Sequence, residues 1–198
     1  MCLYPAGAPG QTVLMTDALL VIDVQESFRV RESWNEVSNP DVAEDVGLLV
    51  EAARAAGQAV IWVLHSEPGG STPFDPESGH VRLMDGLTPR EGEPVLTKTS
   101  RNAFTTTNLQ QRLTTLGVRR VVVCGIQTEQ CCETTARLAA DLGYDVDFVT
   151  DATATFPIRH RDPADPRVLS TADIIERTEY ALAGRFATIR TVKELTAA

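Results

Sequence analysis

The sequence predicts a three-layer α/β/α protein in which a mainly parallel, Rossmann-like sheet of six strands lies between two layers of helices. Two observations predict this class. Short apolar runs of the buried-strand type alternate with segments whose apolar residues recur at helical spacing. Glycines follow several of the helical segments, where helices commonly end. The alternation of strand and helix also favours parallel strands joined by right-handed crossovers.

The domain organisation follows from length and composition. Residues 1–16 contain Pro5 and Pro9 and show no periodicity, so they are predicted to form a loose N-terminal arm. Residues 17–198 show no shift in composition, and a chain of 198 residues can bury one sizeable core. A single domain over residues 17–198 is therefore expected.

The first elements form a strand, helix, strand unit. The apolar run Ala18–Val24 is typical of a buried strand, and Asp23 marks its carboxyl end. Asn39 then provides an N-cap with a proline after it, and the helix that follows is closed by Gly57. The run Ala59–Leu64 predicts the second strand.

A long connection precedes the third strand. Residues 67–93 are rich in glycine and proline, and a connection of this length is often functional. Pro94–Thr97 predicts a short third strand, residues 109–116 predict a helix closed by Gly117, and Arg119–Cys124 predicts the fourth strand.

The helix after the fourth strand carries two adjacent cysteines. Cys132 lies in helical register with Ala136, Ala139 and Leu142, so Cys132 is predicted to face the core and Cys131 to face elsewhere. The remaining elements are a fifth strand, a late helix and a sixth strand, at Asp145–Thr150, 174–182 and Ala187–Arg190. The expected strand order is 3-2-1-4-5-6.

The composition excludes several classes of partner. A net charge of −9 and a pI near 4.8 leave no basic surface for nucleic acid or an anionic membrane, so a small-molecule substrate is expected. No apolar stretch approaches a membrane span and no secretory signal pattern opens the chain, which indicates a cytoplasmic protein. The four cysteines also lack the spacing of a secreted disulfide framework.

Cys131 is the best candidate nucleophile. It lies just past the fourth strand and a tight turn, where a helix begins, and the helix dipole is expected to favour its thiolate. A buried structural thiol is the alternative. Asp23 ends the first strand, so in the predicted order it would adjoin Cys131 at the switch point where such sheets bind ligands. An aspartate after a strand is also a common turn residue.

Four blocks of the sequence then carry a family resemblance. They are Leu20–Gln25, Lys98–Phe104, Cys124–Arg137, and Gly143-Tyr144 before Asp151-Ala152. In order and spacing they resemble the isochorismatase-like cysteine hydrolases, a family that includes nicotinamidases and N-carbamoylsarcosine amidohydrolases. The match spans roughly residues 18–152.

The resemblance implies a site and a chemistry. It places a catalytic triad at Asp23, Lys98 and Cys131, a cis peptide between Ile126 and Gln127, and an oxyanion hole formed by the amides of Gln127 and Cys131. Cys131 would attack a small amide or carbamoyl compound, release ammonia or an amine, and leave a thioester for water to hydrolyse. Family members are commonly dimers or larger, so a homo-oligomer is expected.

Lys98 is unusual because lysine is rare in this chain, and its side chain must cover a long distance to reach the first strand. It is one of two lysines among 18 basic residues, although a solvated lysine at a strand end is the alternative. In the predicted order the third strand lies roughly 10 Å from the first, so Lys98 must extend over the second strand. The turn Thr99–Phe104 is expected to allow this.

Substrate contacts are predicted for several residues near the mouth of the site. The aromatic ones could equally belong to the core or to a subunit contact. Nicotinamidases of the family carry a metal site built from Asp-x-His and a second histidine. This chain has only three scattered histidines, His65, His80 and His160, so neither a metal nor another cofactor is expected. The predicted contact residues are Phe28, Trp34, His65, Phe104 and Gln127.

Three functions stay open at this point. The favoured one is hydrolysis of a C–N bond through Cys131. A vinyl-ether hydrolase of the isochorismatase type would use the aspartate as an acid, with no thiol nucleophile, and a non-catalytic binding or scaffolding protein is the third. A dinucleotide enzyme is disfavoured because no G-x-G-x-x-G follows the first strand, and a thiol redox role because no C-x-x-C is present.

Overall fold

One parallel sheet organises the molecule. The computed structural model describes residues 16–197, and its strands are β1 (Thr16–Ile22), β2 (Ala59–His65), β3 (Val95–Lys98), β4 (Val118–Ile126), β5 (Asp145–Ala154), β6 (Ile158–Arg159), β7 (Val168–Leu169) and β8 (Thr188–Arg190). Six of them form the sheet in the order β3-β2-β1-β4-β5-β8, and every neighbouring pair is parallel. The short strands β6 and β7 form a separate antiparallel pair.

The helices cover both faces of the sheet. They are α1 (Glu26–Arg29), α2 (Val42–Ala55), α3 (Leu109–Thr115), α4 (Glu133–Asp141), α5 (Thr171–Leu182) and α6 (Val192–Thr196), with 3₁₀ turns at Glu32–Glu36 and Pro76–Ser78. A π-helical turn, Thr128–Cys132, lies between β4 and α4. None of the helices within residues 16–197 has the length and apolar character needed to cross a membrane.

Successive residues of each central strand point to opposite cores. In β1, Leu19 and Val21 pack with α2 and α6, whereas Leu20 and Ile22 pack with α3 and α4. Both faces of β1 are therefore apolar, because a parallel sheet between two helical layers is buried on both sides. This is why β1 reads as a continuous apolar run.

The predicted fold class and strand order are confirmed. Several local predictions were wrong. The strands β4 and β5 continue to Ile126 and Ala154, past their predicted ends at Cys124 and Thr150. Leu142 is 39% exposed, because α4 ends at Asp141 and Leu142 turns away from the core. The helix at Cys131 also begins as a π turn, and its α-helical part starts at Glu133. The predicted arm, residues 1–16, lies outside the described residues except for Thr16, which begins β1.

Candidate active site

The predicted triad residues come together at the carboxyl edge of the sheet. Asp23 directly follows β1, Lys98 ends β3, and Cys131 lies in the π turn after β4. Parallel strands end at the same edge, and β1 and β4 are neighbours, so Asp23 and Cys131 meet there.

Lys98 reaches Asp23 by extending over the end of β2. Its partner in the strand register is His65, and its Nζ passes 3.3 Å from His65 Nδ1. The same Nζ donates to Asp23 Oδ2 at 2.8 Å and lies 3.4 Å from Cys131 Sγ. One ammonium, with three donors, thus joins the ends of three strands and the π turn. Lys98 and Asp23 are both fully buried.

The electrostatics favour a resting thiol beside a basic carboxylate. Burial raises the pKa of Asp23, although the Lys98 ammonium and the nearby thiol act in the opposite direction. Burial also raises the pKa of Cys131 to about 12, and the Asp23 carboxylate adds to that rise. The expectation of a thiolate at Cys131 is therefore wrong, because the loss of water around the sulfur favours the neutral thiol. The thiol needs a base, and Asp23 Oδ1 has no hydrogen-bond partner among residues 16–197.

His65 is neutral, and its ring contacts the ammonium of Lys98. Burial and the Lys98 charge lower the pKa of His65. Its Nδ1 faces the Lys98 ammonium at 3.3 Å, and its Nε2 lies 3.1 Å from both Glu67 Oε1 and Arg101 Nη1. Gln25 fixes the backbone of His65 through both ends of its amide, at 2.7 and 3.0 Å. Gln25, just past β1, therefore holds the backbone of His65 at the end of β2 in place.

Cys131 is positioned from both sides of its turn. Before the turn, the Ile126–Gln127 peptide bond is cis, at the position where the family resemblance implied it. Within the turn, Cys132 N–H donates to Gln127 O at 3.1 Å, the i to i−5 bond of a π turn. After it, the buried carboxylate of Glu133 accepts from Arg137, Arg177 and Thr178, which ties the turn to α4 and α5. Cys132 is fully buried in the core, as the helical register predicted.

A cavity of about 370 Å³ opens onto Cys131 and Asp23. Of the predicted substrate contacts, Phe28, His65 and Gln127 lie in its wall. Trp34 and Phe104 are not part of that wall. Trp34 packs against Phe156, with ring centroids 6.2 Å apart. Phe104 is buried in the core on the α3 and α4 side and stacks on Tyr144, also at 6.2 Å.

Sequence reasoning missed most of the remaining cavity wall. Several of these residues come from the long connection after β2, whose length was the one available signal. Arg101 lies inside a block that carried the family resemblance, and Arg31 lies between the predicted contacts Phe28 and Trp34. The residues missed are Arg31, Glu67, Thr72, Pro73, Phe74, Arg101 and Gln130.

Comparison with known proteins identifies the family. The model of the isochorismatase domain matches residues 17–178. An uncharacterised isochorismatase family protein of Bacillus subtilis, YrdC, is 30% identical over 178 residues, which cover 90% of this chain and 93% of that protein. Nicotinamidase 3 of Arabidopsis thaliana is 34% identical over 156 residues, 70% of this chain and 73% of the relative. The crystal structure of an isochorismatase from Pseudomonas putida matches with a TM-score of 0.81 and 30% identity, over 96% of this chain and 93% of the other. The chain therefore belongs to the isochorismatase family of hydrolases.

Proposed function

We propose that the protein hydrolyses a C–N bond of a small amide or carbamoyl compound, with Cys131 as nucleophile, Asp23 as base and Lys98 as their electrostatic support. One observation carries the proposal. A fully buried ammonium contacts the buried carboxylate at 2.8 Å and the thiol at 3.4 Å, and the carboxylate and the thiol lie in the wall of a cavity of about 370 Å³. Nicotinamidase 3, a relative whose name describes an enzyme for an amide, supports the same class of bond.

The first half of the reaction forms a thioester. Asp23 takes the proton from the Cys131 thiol, and the sulfur attacks the carbonyl carbon to give a tetrahedral oxyanion. The backbone amides of Gln127 and Cys131 donate to that oxygen. The C–N bond then breaks, and the leaving nitrogen takes the proton from Asp23. Ammonia or an amine departs, and the acyl group stays on the sulfur.

The second half returns the enzyme to its starting state. Asp23 takes a proton from water as the water oxygen attacks the thioester carbonyl. Collapse breaks the C–S bond, and the proton on Asp23 returns to the sulfur. Lys98 stabilises the carboxylate whenever Asp23 is ionised, and it lies close enough to the sulfur to stabilise the thiolate. The raised pKa of Asp23 suits it to accept and return a proton within each half-reaction.

The buried thiol argues against the two alternatives from the sequence. A vinyl-ether hydrolase would need Asp23 as an acid but no sulfur in contact with Lys98. A non-catalytic binding protein would have no use for a buried pair of opposite charges beside a thiol at the floor of its cavity.

A screen for ammonia release from small amides and ureas tests the proposal. We expect turnover by the wild-type protein, and a fall of roughly 1,000-fold or more in Cys131→Ala and Cys131→Ser. Cys132→Ala is the matched control, because it removes the adjacent thiol from the core side of the same turn and should keep most of the activity. Intact mass measured during turnover should show an acyl adduct on Cys131. Turnover that survives in Cys131→Ala would overturn the nucleophile.

A cytoplasmic location and a homo-oligomeric state stay predictions. Size-exclusion chromatography with light scattering tests the second, and a mass equal to one chain of 21.5 kDa would contradict it.

A further inference from the structure

The wall of the catalytic cavity carries three charged side chains beyond the buried triad residues. They are Arg31, Glu67 and Arg101. Glu67 is already engaged, because its Oε1 lies 3.1 Å from His65 Nε2 and 3.7 Å from Arg101 Nη1. Arg101 is correspondingly paired with the one carboxylate on this part of the wall.

Arg31 has no such partner. It forms no ion pair with any carboxylate of residues 16–197. Its guanidinium carbon lies 6.0 Å from the ring centroids of both Phe74 and Phe156. The exposed Arg31 side chain therefore lies beside two aromatic rings, and no carboxylate of residues 16–197 compensates its charge at the cavity.

Of the two arginines in the cavity wall, Arg101 pairs with Glu67, whereas Arg31 has no ion pair among residues 16–197. The chain carries 27 acidic against 18 basic residues, so carboxylate partners are abundant. A guanidinium that faces a small cavity and pairs with none of them has its donors available for a ligand. Its flat, forked set of donors matches a carboxylate, which it can bind through two parallel hydrogen bonds.

We propose that the substrate carries a carboxylate and that Arg31 binds it, which makes Arg31 the residue that selects amides or carbamoyl derivatives of small acids. This inference rests on the proposed function. In such a substrate one end meets Cys131 while the acid group lies against Arg31. The neighbouring pair of Arg101 and Glu67 leaves Arg31 as the cation for that group. A cavity of about 370 Å³ limits the substrate to a small molecule.

Binding to the Cys131→Ala protein tests the inference without turnover. Calorimetry would compare succinamate with butyramide, and glutaramate with pentanamide, pairs in which a carboxylate replaces a methyl group. We expect the acid of at least one pair to bind roughly 10-fold or more tightly than its neutral partner. Adding Arg31→Gln should remove that difference and leave binding of the neutral amide within about twofold.

Two further variants separate recognition from general effects of charge. Arg29→Gln removes the same charge two residues away, outside the cavity wall, and should keep the preference for the acid. Arg31→Lys keeps the charge but loses the forked donors, so it should restore part of the preference. Equal binding of acid and amide, no detectable binding of either, or a preference that survives Arg31→Gln would overturn the inference and indicate that Arg31 only packs on the two rings.

The two proposals fail in different ways. Ammonia release from neutral amides at the rate of their acids would leave the hydrolase function standing and remove the role of Arg31. Tight, Arg31-dependent binding of the acids without any ammonia release would do the reverse.

Discussion

The pair of Asp23 and Lys98 is hard to explain by stability. Both side chains are fully buried, and their charged atoms lie 2.8 Å apart. Replacing a buried ion pair with apolar groups is often neutral or stabilising, because burying two charges costs more than their attraction returns. The contact of Lys98 with Cys131 gives the pair a chemical reason to be there.

A first prediction concerns the thiol when the carboxylate is lost. After burial, the Asp23 charge is the next cause of the raised pKa of Cys131, so Asp23→Asn should lower that pKa. More thiolate is then present at a given pH. We expect iodoacetamide to modify Cys131 several-fold faster in Asp23→Asn at pH 8, roughly tenfold per unit by which the pKa falls, while hydrolysis is lost.

Asp17→Asn serves as the control, since it removes a carboxylate at the amino end of the same strand. Its labelling rate at Cys131 should match that of the wild-type protein, measured by intact mass over time. Slower labelling in Asp23→Asn would contradict the assigned electrostatics, and would mean that Asp23 already holds the thiol proton in the resting protein.

Sequence reasoning could find these residues but could not describe their environment. Asp23, Lys98 and Cys131 were predictable because each follows a recognisable strand inside a block of the resemblance. The raised pKa of Cys131 was not, because burial depends on the packing of distant segments over the sulfur. Arg31 and Glu67 were missed for a similar reason. Their contacts with Phe74 and His65 depend on how a long connection folds back.

At the scale of elements, Gly125 is what lets β4 come so close to β1. It pairs in register with Ile22, the residue before Asp23, and its φ is +125°. A Cβ at Gly125 would lie 1.9 Å from the carbonyl oxygen of Ile22. The missing side chain therefore holds the end of β1, and with it Asp23, against the segment that leads to Cys131.

The second prediction compares two glycines of the same region. Gly125→Ala should lower the free energy of unfolding by roughly 3 kcal/mol or more, because backbone atoms must move to relieve the clash. Gly117, just before β4, also has a positive φ of +68°, but a Cβ there would meet nothing within 4 Å. Gly117→Ala should cost only about 1 kcal/mol.

Urea unfolding followed by circular dichroism measures both changes. Hydrolysis by the Gly125→Ala protein should also fall under conditions where it is still folded, whereas Gly117→Ala should retain it. Equal losses of stability in the two variants would contradict the role of close approach at Gly125. The positive φ alone would then explain the loss.

The order of the elements was the most predictable property of this fold, and their ends were the least. Alternating apolar runs and helical spacing predicted the strand order that the sheet adopts. β4, however, continues to Ile126, past the predicted end at Cys124. Gly125 lies where a tight turn was predicted after the fourth strand, but it is instead in close contact with β1 inside the sheet. Local sequence does not distinguish the two.

At the scale of the whole molecule, residues 16–197 form two cores that share one sheet. Leu49 of α2 belongs to one and Leu113 of α3 to the other, and both leucines are buried. The strands β1, β2 and β4 contribute alternate residues to each core. If either helical layer separated from the sheet, it would therefore expose one face of the same strands. This coupling favours unfolding of the described part of the chain as a single unit, which is what a single domain requires.

The last prediction tests this coupling with one probe on each side. In a Trp34→Phe background, Trp62 is the one remaining tryptophan and lies in the core with Leu49. Cys132 lies in the other core with Leu113, where its reaction with a thiol reagent reports exposure. Leu49→Ala and Leu113→Ala should each lower the free energy of unfolding by roughly 3 kcal/mol. In urea, fluorescence and Cys132 labelling should give coincident midpoints in both variants, because each probe depends on the shared sheet. If Leu49→Ala shifted the Trp62 transition alone, the two cores would unfold separately, and the prediction of one domain over residues 17–198 would be wrong.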